Sequence, residues 1–147
     1  MYIHDSSPYC YDLPKPLESV LAVGWLTKSE PIQTGDCPTD VIEKIKRLIL
    51  RESVNQTRGT HSCDFCGEDR IRLNVRDRTF LLGAAELWVP DDSGRIAFAA
   101  PNLIVHYIVK HRYLPPTPFL DAVRAFSEDS TWRGQLLYER LSAQAYG

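Results

Sequence analysis

Two short strings in this sequence carry the residue types that hold metal ions. The first is His61-Ser62-Cys63-Asp64-Phe65-Cys66-Gly67. Two thiolates separated by two residues reach one ion across a tight turn, and a glycine behind the second permits the backbone twist such a knuckle needs. The second string is His106-Tyr107-Ile108-Val109-Lys110-His111, in which H-x4-H falls within the spacing that lets two imidazoles reach one zinc from a helix end. Together they nominate Cys63, Cys66, His106 and His111 as ligands of a structural Zn2+. His61, two residues before Cys63, is the alternative fourth ligand or an outer hydrogen-bonding partner. Positions five apart diverge by about 140° on an ideal helix. His111 is therefore expected to ligate only if the helix loosens near Lys110, ahead of the Tyr113-Leu114-Pro115-Pro116 run.

A C-x-x-C pair also occurs in thioredoxin-like redox sites, where it sits between a strand and a helix N-terminus. Here a charged, alternating segment follows it, which disfavours redox chemistry. Catalytic zinc keeps an open position beside a general base. Neither His61 nor His106 has a glutamate two residues on, no proline precedes Cys63, and no H-E-x-x-H string is present. Glu68, Asp69 and Glu86, the acids that could approach the ion, read as surface or turn residues. The sequence also lacks G-x-S-x-G and a glycine-rich phosphate loop.

The elements that must position these ligands follow from periodicity. Val20–Thr27 is β-branched and aromatic and reads as a buried strand. Pro38 opens a helix to about Ser53, with Val41, Ile42, Ile45, Leu48 and Ile49 on one face and capping-box spacing at Asp40 and Glu43. Ile71, Leu73 and Val75 alternate with Arg70, Arg72, Asn74 and Arg76 as in a half-buried strand. Phe80–Leu82 and Glu86–Val89 continue as strand, with a bulge at Gly83, and Ile96–Ala99 pairs back as a hairpin. Pro101 opens an apolar helix bearing the histidines. Pro118 opens a third helix ending at Phe126, and Ser130 caps a last one carrying Trp132, Leu136, Leu137 and Leu141. The expected fold is α+β, a small antiparallel sheet with about four helices around a zinc-finger-like knuckle, hairpin and helix. It forms one zinc-binding domain over 1–147: an N-terminal strand and helix (1–60), the zinc unit (61–113) and C-terminal helices (114–147).

The His61–Phe119 stretch resembles small uncharacterised bacterial proteins with an HxCxxC knuckle. They follow it with an A-P-x-L-I-x-H-Y-I-x-x-H-x-Y-x-P-P-x-x-F segment, here Ala100–Phe119. The resemblance supports the ligand assignment and implies no activity.

Composition bounds the partners. The 147 residues are 44% hydrophobic and 24% charged with a formal net charge of -2, an ordinary globular balance without a nucleic-acid signature. The N-terminus has no basic cluster before an apolar run. Val20–Leu26 and Leu103–Val109 are also far shorter than the roughly 20 residues that span a bilayer, so a cytoplasmic protein without a membrane role is expected. Cys10 and Cys37 read as free thiols. Arg70, Arg72, Arg76 and Arg78 form the candidate partner-binding face, since guanidinium forks suit carboxylate and phosphate alike. The favoured function is a non-catalytic, zinc-stabilised protein-binding module, in one form a bacterial inhibitor or immunity-type protein against a toxin or enzyme. The alternatives are a nucleic-acid-binding zinc protein using the Arg70–Arg78 face and a zinc-dependent hydrolase.

Overall fold

The computed structural model describes all residues, Met1–Gly147. Six strands and four helices follow in the order β1 (Pro8–Tyr9), β2 (Leu17–Ala22), α1 (Thr39–Arg51), β3 (Arg72–Val75), β4 (Arg78–Leu81), β5 (Glu86–Pro90), β6 (Ala97–Pro101), α2 (Ile104–His111), α3 (Thr117–Ala125) and α4 (Gly134–Tyr146). The chain is α+β with four helices. No helix is long and apolar enough to cross a membrane.

The main sheet has the order β1-β2-β6-β5, and β3-β4 forms a separate two-stranded ribbon. Within the main sheet β2 runs parallel to β6, with Val20 opposite Ala97 and Ala22 opposite Ala99. The expected antiparallel pairing thus holds for the other neighbours and is corrected at this one. The reason is topological: the long connection from β2 to β6 carries α1 and the whole knuckle region, enough chain for a crossover, whereas a tight hairpin can only make antiparallel neighbours.

Both faces of the sheet are covered, which explains why β5 and β6 read as near-continuous apolar runs. Leu87, Val89, Phe98 and Ala100 face one core with residues of α1, α2 and α3. Trp88, Ala97, Ala99, Val20 and Ala22 face a second core with Tyr9, Trp25 and Ala145. α1 buries Val41, Ile45, Leu48 and Ile49, the stripe its periodicity specifies. The expected strand over Val20–Thr27 starts earlier, at Leu17, and ends at Ala22, because Gly24 turns the chain at φ +80.

Two local expectations are corrected by partners distant in sequence. Asp40 does not cap α1, which has no side-chain cap. Its carboxylate binds Arg124 of α3 instead, and the guanidinium holds that carboxyl below its ordinary range. Ser130 does not cap α4 either. Glu52, just past the end of α1, accepts the Gly134 amide at 2.9 Å and the Gln135 amide at 3.0 Å. A carboxylate on free helix N-terminal amides satisfies two donors and opposes the helix dipole.

Glu86 is the largest departure from the sequence reading. It is not a surface residue but 3% exposed, because alternation along β5 turns it to the same side as Trp88, into the second core. Its carboxylate accepts from Tyr9 Oη (2.9 Å), Asn55 Nδ2 (2.8 Å) and Trp88 Nε1 (2.9 Å). Burial pushes its acid up to about 7 against the pull of those three donors. A folded-state value above that of the free side chain means the native form holds its proton more tightly. The contribution of Glu86 to stability is therefore fully present below the free value and falls as pH rises through about 7.

Two outcomes are expected in urea titrations. Glu52→Ala removes the cross-chain cap and lowers stability by about 1 kcal/mol, with faster amide exchange in the first turn of α4. Tyr9→Phe removes a donor that favours ionised Glu86, costs about 1–2 kcal/mol, and costs more at pH 8 than at pH 6. An equal cost at both pH values would show that Glu86 does not titrate between them.

Candidate metal centre

The knuckle is built by its own backbone. Cys63 receives the Gly67 amide on its carbonyl at 2.8 Å and donates its own amide to the Glu68 carbonyl at 2.9 Å. The amides of Cys66 and Phe65 point at the Cys63 sulfur, favouring thiolate, while burial pushes the thiol up more strongly. Gly67 closes the turn at φ +72, a backbone state that costs glycine little. Asp64, between the cysteines, ties the turn to the preceding loop by accepting from Thr27 Oγ1 at 2.9 Å and the Lys28 amide at 2.8 Å. Those bonds hold its carboxyl below the ordinary range.

α2 supplies the other half. It stays α-helical through His111 and ends at Arg112, which takes φ 55 with its amide on the Tyr107 carbonyl. The Tyr113 amide closes on the same carbonyl at 3.1 Å. The expected loosening at Lys110 therefore comes two residues later. The imidazoles meet without it, because helical side chains lean toward the N-terminus and the His111 ring reaches back over the preceding turn. The ring centroids of His106 and His111 lie 5.2 Å apart. Phe65 packs against the rings of both His111 (5.3 Å) and Tyr107 (5.7 Å), so an apolar contact orients one imidazole.

Donor atoms of Cys63, Cys66, His106 and His111 all lie within 4.8 Å of one another, close enough to hold one metal ion. Cys63 Sγ is 3.4 Å from His111 Nε2, and Cys66 Sγ is 3.6 Å from His106 Nε2. Burial, then the neighbouring His111, pushes the His106 imidazole toward its neutral form, the form that binds metal. His61 lies outside this group. Its Nε2 meets Tyr11 Oη at 3.0 Å, and its backbone pairs with Gly83. Gly83 is not a bulge within a strand but the turn after β4, at φ +96, where a β-carbon would sit 2.5 Å from the His61 carbonyl oxygen. That backbone pairing holds His61 on the far side of the knuckle. Cys10 and Cys37 are free thiols, each partly buried and away from the cluster.

The four arginines are solvent-exposed and form no ion pair, although Arg78 lies over the Phe80 ring at 5.8 Å, and they do not share one face. Arg72 pairs with Leu81, and Arg78 pairs with Val75 at the turn, so the two project from opposite faces of the ribbon. Arg70 and Arg76 occupy left-handed turns at φ 50 and φ 57.

The feature that sequence reasoning missed is a cleft of roughly 310 Å3 between the N-terminal segment and the β4–β5 connection, lined by Tyr11, Trp25, Asn55, His61, Asp64 and Glu86 among others. None of the four metal-ligand candidates lines it. Glu86 could have been suspected from its place in an otherwise apolar strand, Glu86-Leu87-Trp88-Val89.

A family model described as a domain of unknown function, DUF7919, matches residues 1–124. That span holds all four ligand candidates, the arginine ribbon and every residue that lines the cleft, and stops before α4. No curated protein and no solved structure matches the chain.

Because the ribbon arginines make no ion pair, Arg72→Glu with Arg78→Glu should change the unfolding free energy by no more than neutral surface substitutions do, about 0.5 kcal/mol. A clear loss of stability in calorimetry would show that the ribbon belongs to the fold's own support.

Proposed function

The chain belongs to the DUF7919 family, and since that description carries no activity, we propose a function from the geometry: a non-catalytic binding module organised by one structural zinc ion. The observation that carries the metal assignment is the separation of two sulfur–nitrogen pairs within the four-donor cluster. Tetrahedral zinc with bonds of about 2.3 Å to sulfur and about 2.1 Å to nitrogen places them about 3.6 Å apart. The separations here are 3.4 and 3.6 Å. Two thiolates and two imidazoles suit zinc over the hard cations, which take oxygen ligands. Four protein donors complete the tetrahedron and leave no position for a reactive water. That favours a structural ion over a hydrolase centre, as does the separation of the cleft from the ligands.

The binding role rests on the ribbon. Four exposed arginines without an intramolecular ion pair can offer their forks to carboxylates of another protein. The ion clamps the knuckle, and with it the start of β3, onto α2, so metal and ribbon form one unit. A net charge of -2 favours an acidic protein face over nucleic acid, whose binding would require a broad positive surface. An inhibitor or immunity-type protein acting on a toxin or enzyme is the narrower form of this reading.

Purified protein should contain one zinc per chain by elemental analysis. Alanine at Cys63, Cys66, His106 or His111 should abolish stoichiometric binding, whereas His61→Ala should retain it. Zinc lost in His61→Ala, or kept in the four others, would remove the assignment. A partner recovered with the wild type should be lost with Arg72→Glu/Arg78→Glu. If the ligand instead proves to be nucleic acid, its affinity should fall steeply between 50 and 200 mM salt, by a factor on the order of 10 or more per few phosphates.

A further inference from the structure

The cleft beside Glu86 has a chemistry of its own, independent of what the metal does. Its volume, roughly 310 Å3, lies at the small end of ligand sites. One wall is a pair of aromatic rings, Tyr11 and Trp25, with centroids 5.0 Å apart and planes 30° from parallel. Tyr107, on α2, contributes a further ring. No lysine or arginine side chain lines the cleft, whereas two carboxylates, Glu86 and Asp64, do. The exposed Asp12 adds its negative charge to the field at both Glu86 and Tyr11. Asp64 is offset by the nearby Lys28 and the N-terminal amine, so the uncompensated negative end is the one at Glu86 when its acid is ionised, above about 7.

Hydrogen-bonding capacity points the same way. Asn55 spends its Nδ2 on Glu86, which leaves its Oδ1 without a partner in the protein. Glu86 Oε2 accepts two bonds, from Tyr9 and Asn55, while Oε1 accepts one, from Trp88, leaving room for another donor. Spare acceptors, aromatic faces and a net negative field are complementary to a cation that carries N–H groups, and they disfavour an anion. The small residues Gly83, Ala84 and Ala85 keep the space open.

We propose that this cleft is a binding site for a nitrogen cation, an alkylammonium or guanidinium group, seated against the Tyr11–Trp25 pair with its N–H groups toward Asn55 and Glu86. Such a group comes either from a free small amine or guanidine, or from a lysine or arginine side chain of a bound protein.

The experiment is a titration at about pH 8, where Glu86 is ionised, of the full-length, zinc-loaded, 15N-labelled protein with methylguanidinium, butylammonium, neutral methylurea and acetate. The cations should shift resonances of residues 24–27, 55–57 and 83–86, with dissociation constants on the order of 1 mM. Methylurea and acetate should bind at least about tenfold more weakly, the scale of one buried charge contact. Equal binding of the neutral or anionic probe, or no shift with the cations at about 20 mM, would overturn the site. Glu86→Gln should weaken the cations by about tenfold and leave methylurea unchanged. Should that variant not fold, Ala85→Leu, which fills the cleft while keeping one zinc per chain, must abolish cation binding; retained binding would overturn the proposal equally. An acetylated and amidated Gly-Arg-Gly peptide separates the two sources. Tighter binding than methylguanidinium assigns the site to a side chain of a partner, and exclusion of the peptide with retained methylguanidinium binding assigns it to a free small cation.

Discussion

The convergence of a turn and a helix end on one small volume is the constraint around which the remaining structure is arranged. Cys63 and Cys66 belong to a loop that has little regular structure of its own, and His106 and His111 sit about forty residues later on α2. Bringing four polar donors together against the largely buried α2 costs desolvation unless something satisfies them. Within the protein they meet one another, thiol to imidazole, at 3.4 and 3.6 Å. A shared ion would satisfy all four at once and convert a costly cluster into a clamp. The position of β3 and of the arginine ribbon follows from where that knuckle is held.

Behind the clamp, the sheet divides the interior into two cores with different jobs. The α1–α3 side is apolar and supports α2 from below. The opposite side mixes aromatic rings with a buried carboxylate, and its hydrogen bonds link Tyr9, Asn55, Glu86 and Trp88 across three segments of the chain. Buried polar groups satisfied in this way fix a single arrangement of the segments that hold them. They also set the wall of the cleft, since Asn55 and Glu86 belong both to the network and to the lining. The donor cluster and the cleft thus have separate linings, joined by Tyr107 and by Asp64, which stands between the two cysteines and also lines the cleft.

How much of this was readable beforehand depends on the range of the interaction. The amphipathic stripe of α1, the alternation in β3 and the prolines at the starts of α1 and α3 are local patterns that appear near their expected places, whereas Pro101 ends β6 and α2 begins only at Ile104. The cysteine and histidine spacing is local too. What failed were inferences in which a residue's partner lies far away. Asp40 and Glu43 have capping-box spacing, yet Arg124 from another helix takes Asp40. Ser130, expected to cap the last helix, takes the Trp132 amide four residues before α4 begins, and Glu52 binds the free amides of α4 across 82 residues. Arg70, Arg72 and Arg76 alternate with apolar residues in the sequence, but the turn at Arg76–Asp77 puts Arg78 on β4 and, relative to Arg72, on the opposite face of the ribbon.

The amino-acid order by itself therefore determined the kind of protein this is, an α+β chain of four helices with a two-cysteine, two-histidine donor set, because side-chain periodicity and donor spacing are written residue by residue. Only the tertiary structure decided that β2 and β6 run parallel, that His111 and not His61 joins the cysteines, and that Glu86 is buried at the edge of an aromatic cleft. Each of those outcomes is set by packing between segments tens of residues apart, where burial and hydrogen-bond satisfaction over the whole chain outweigh any local preference.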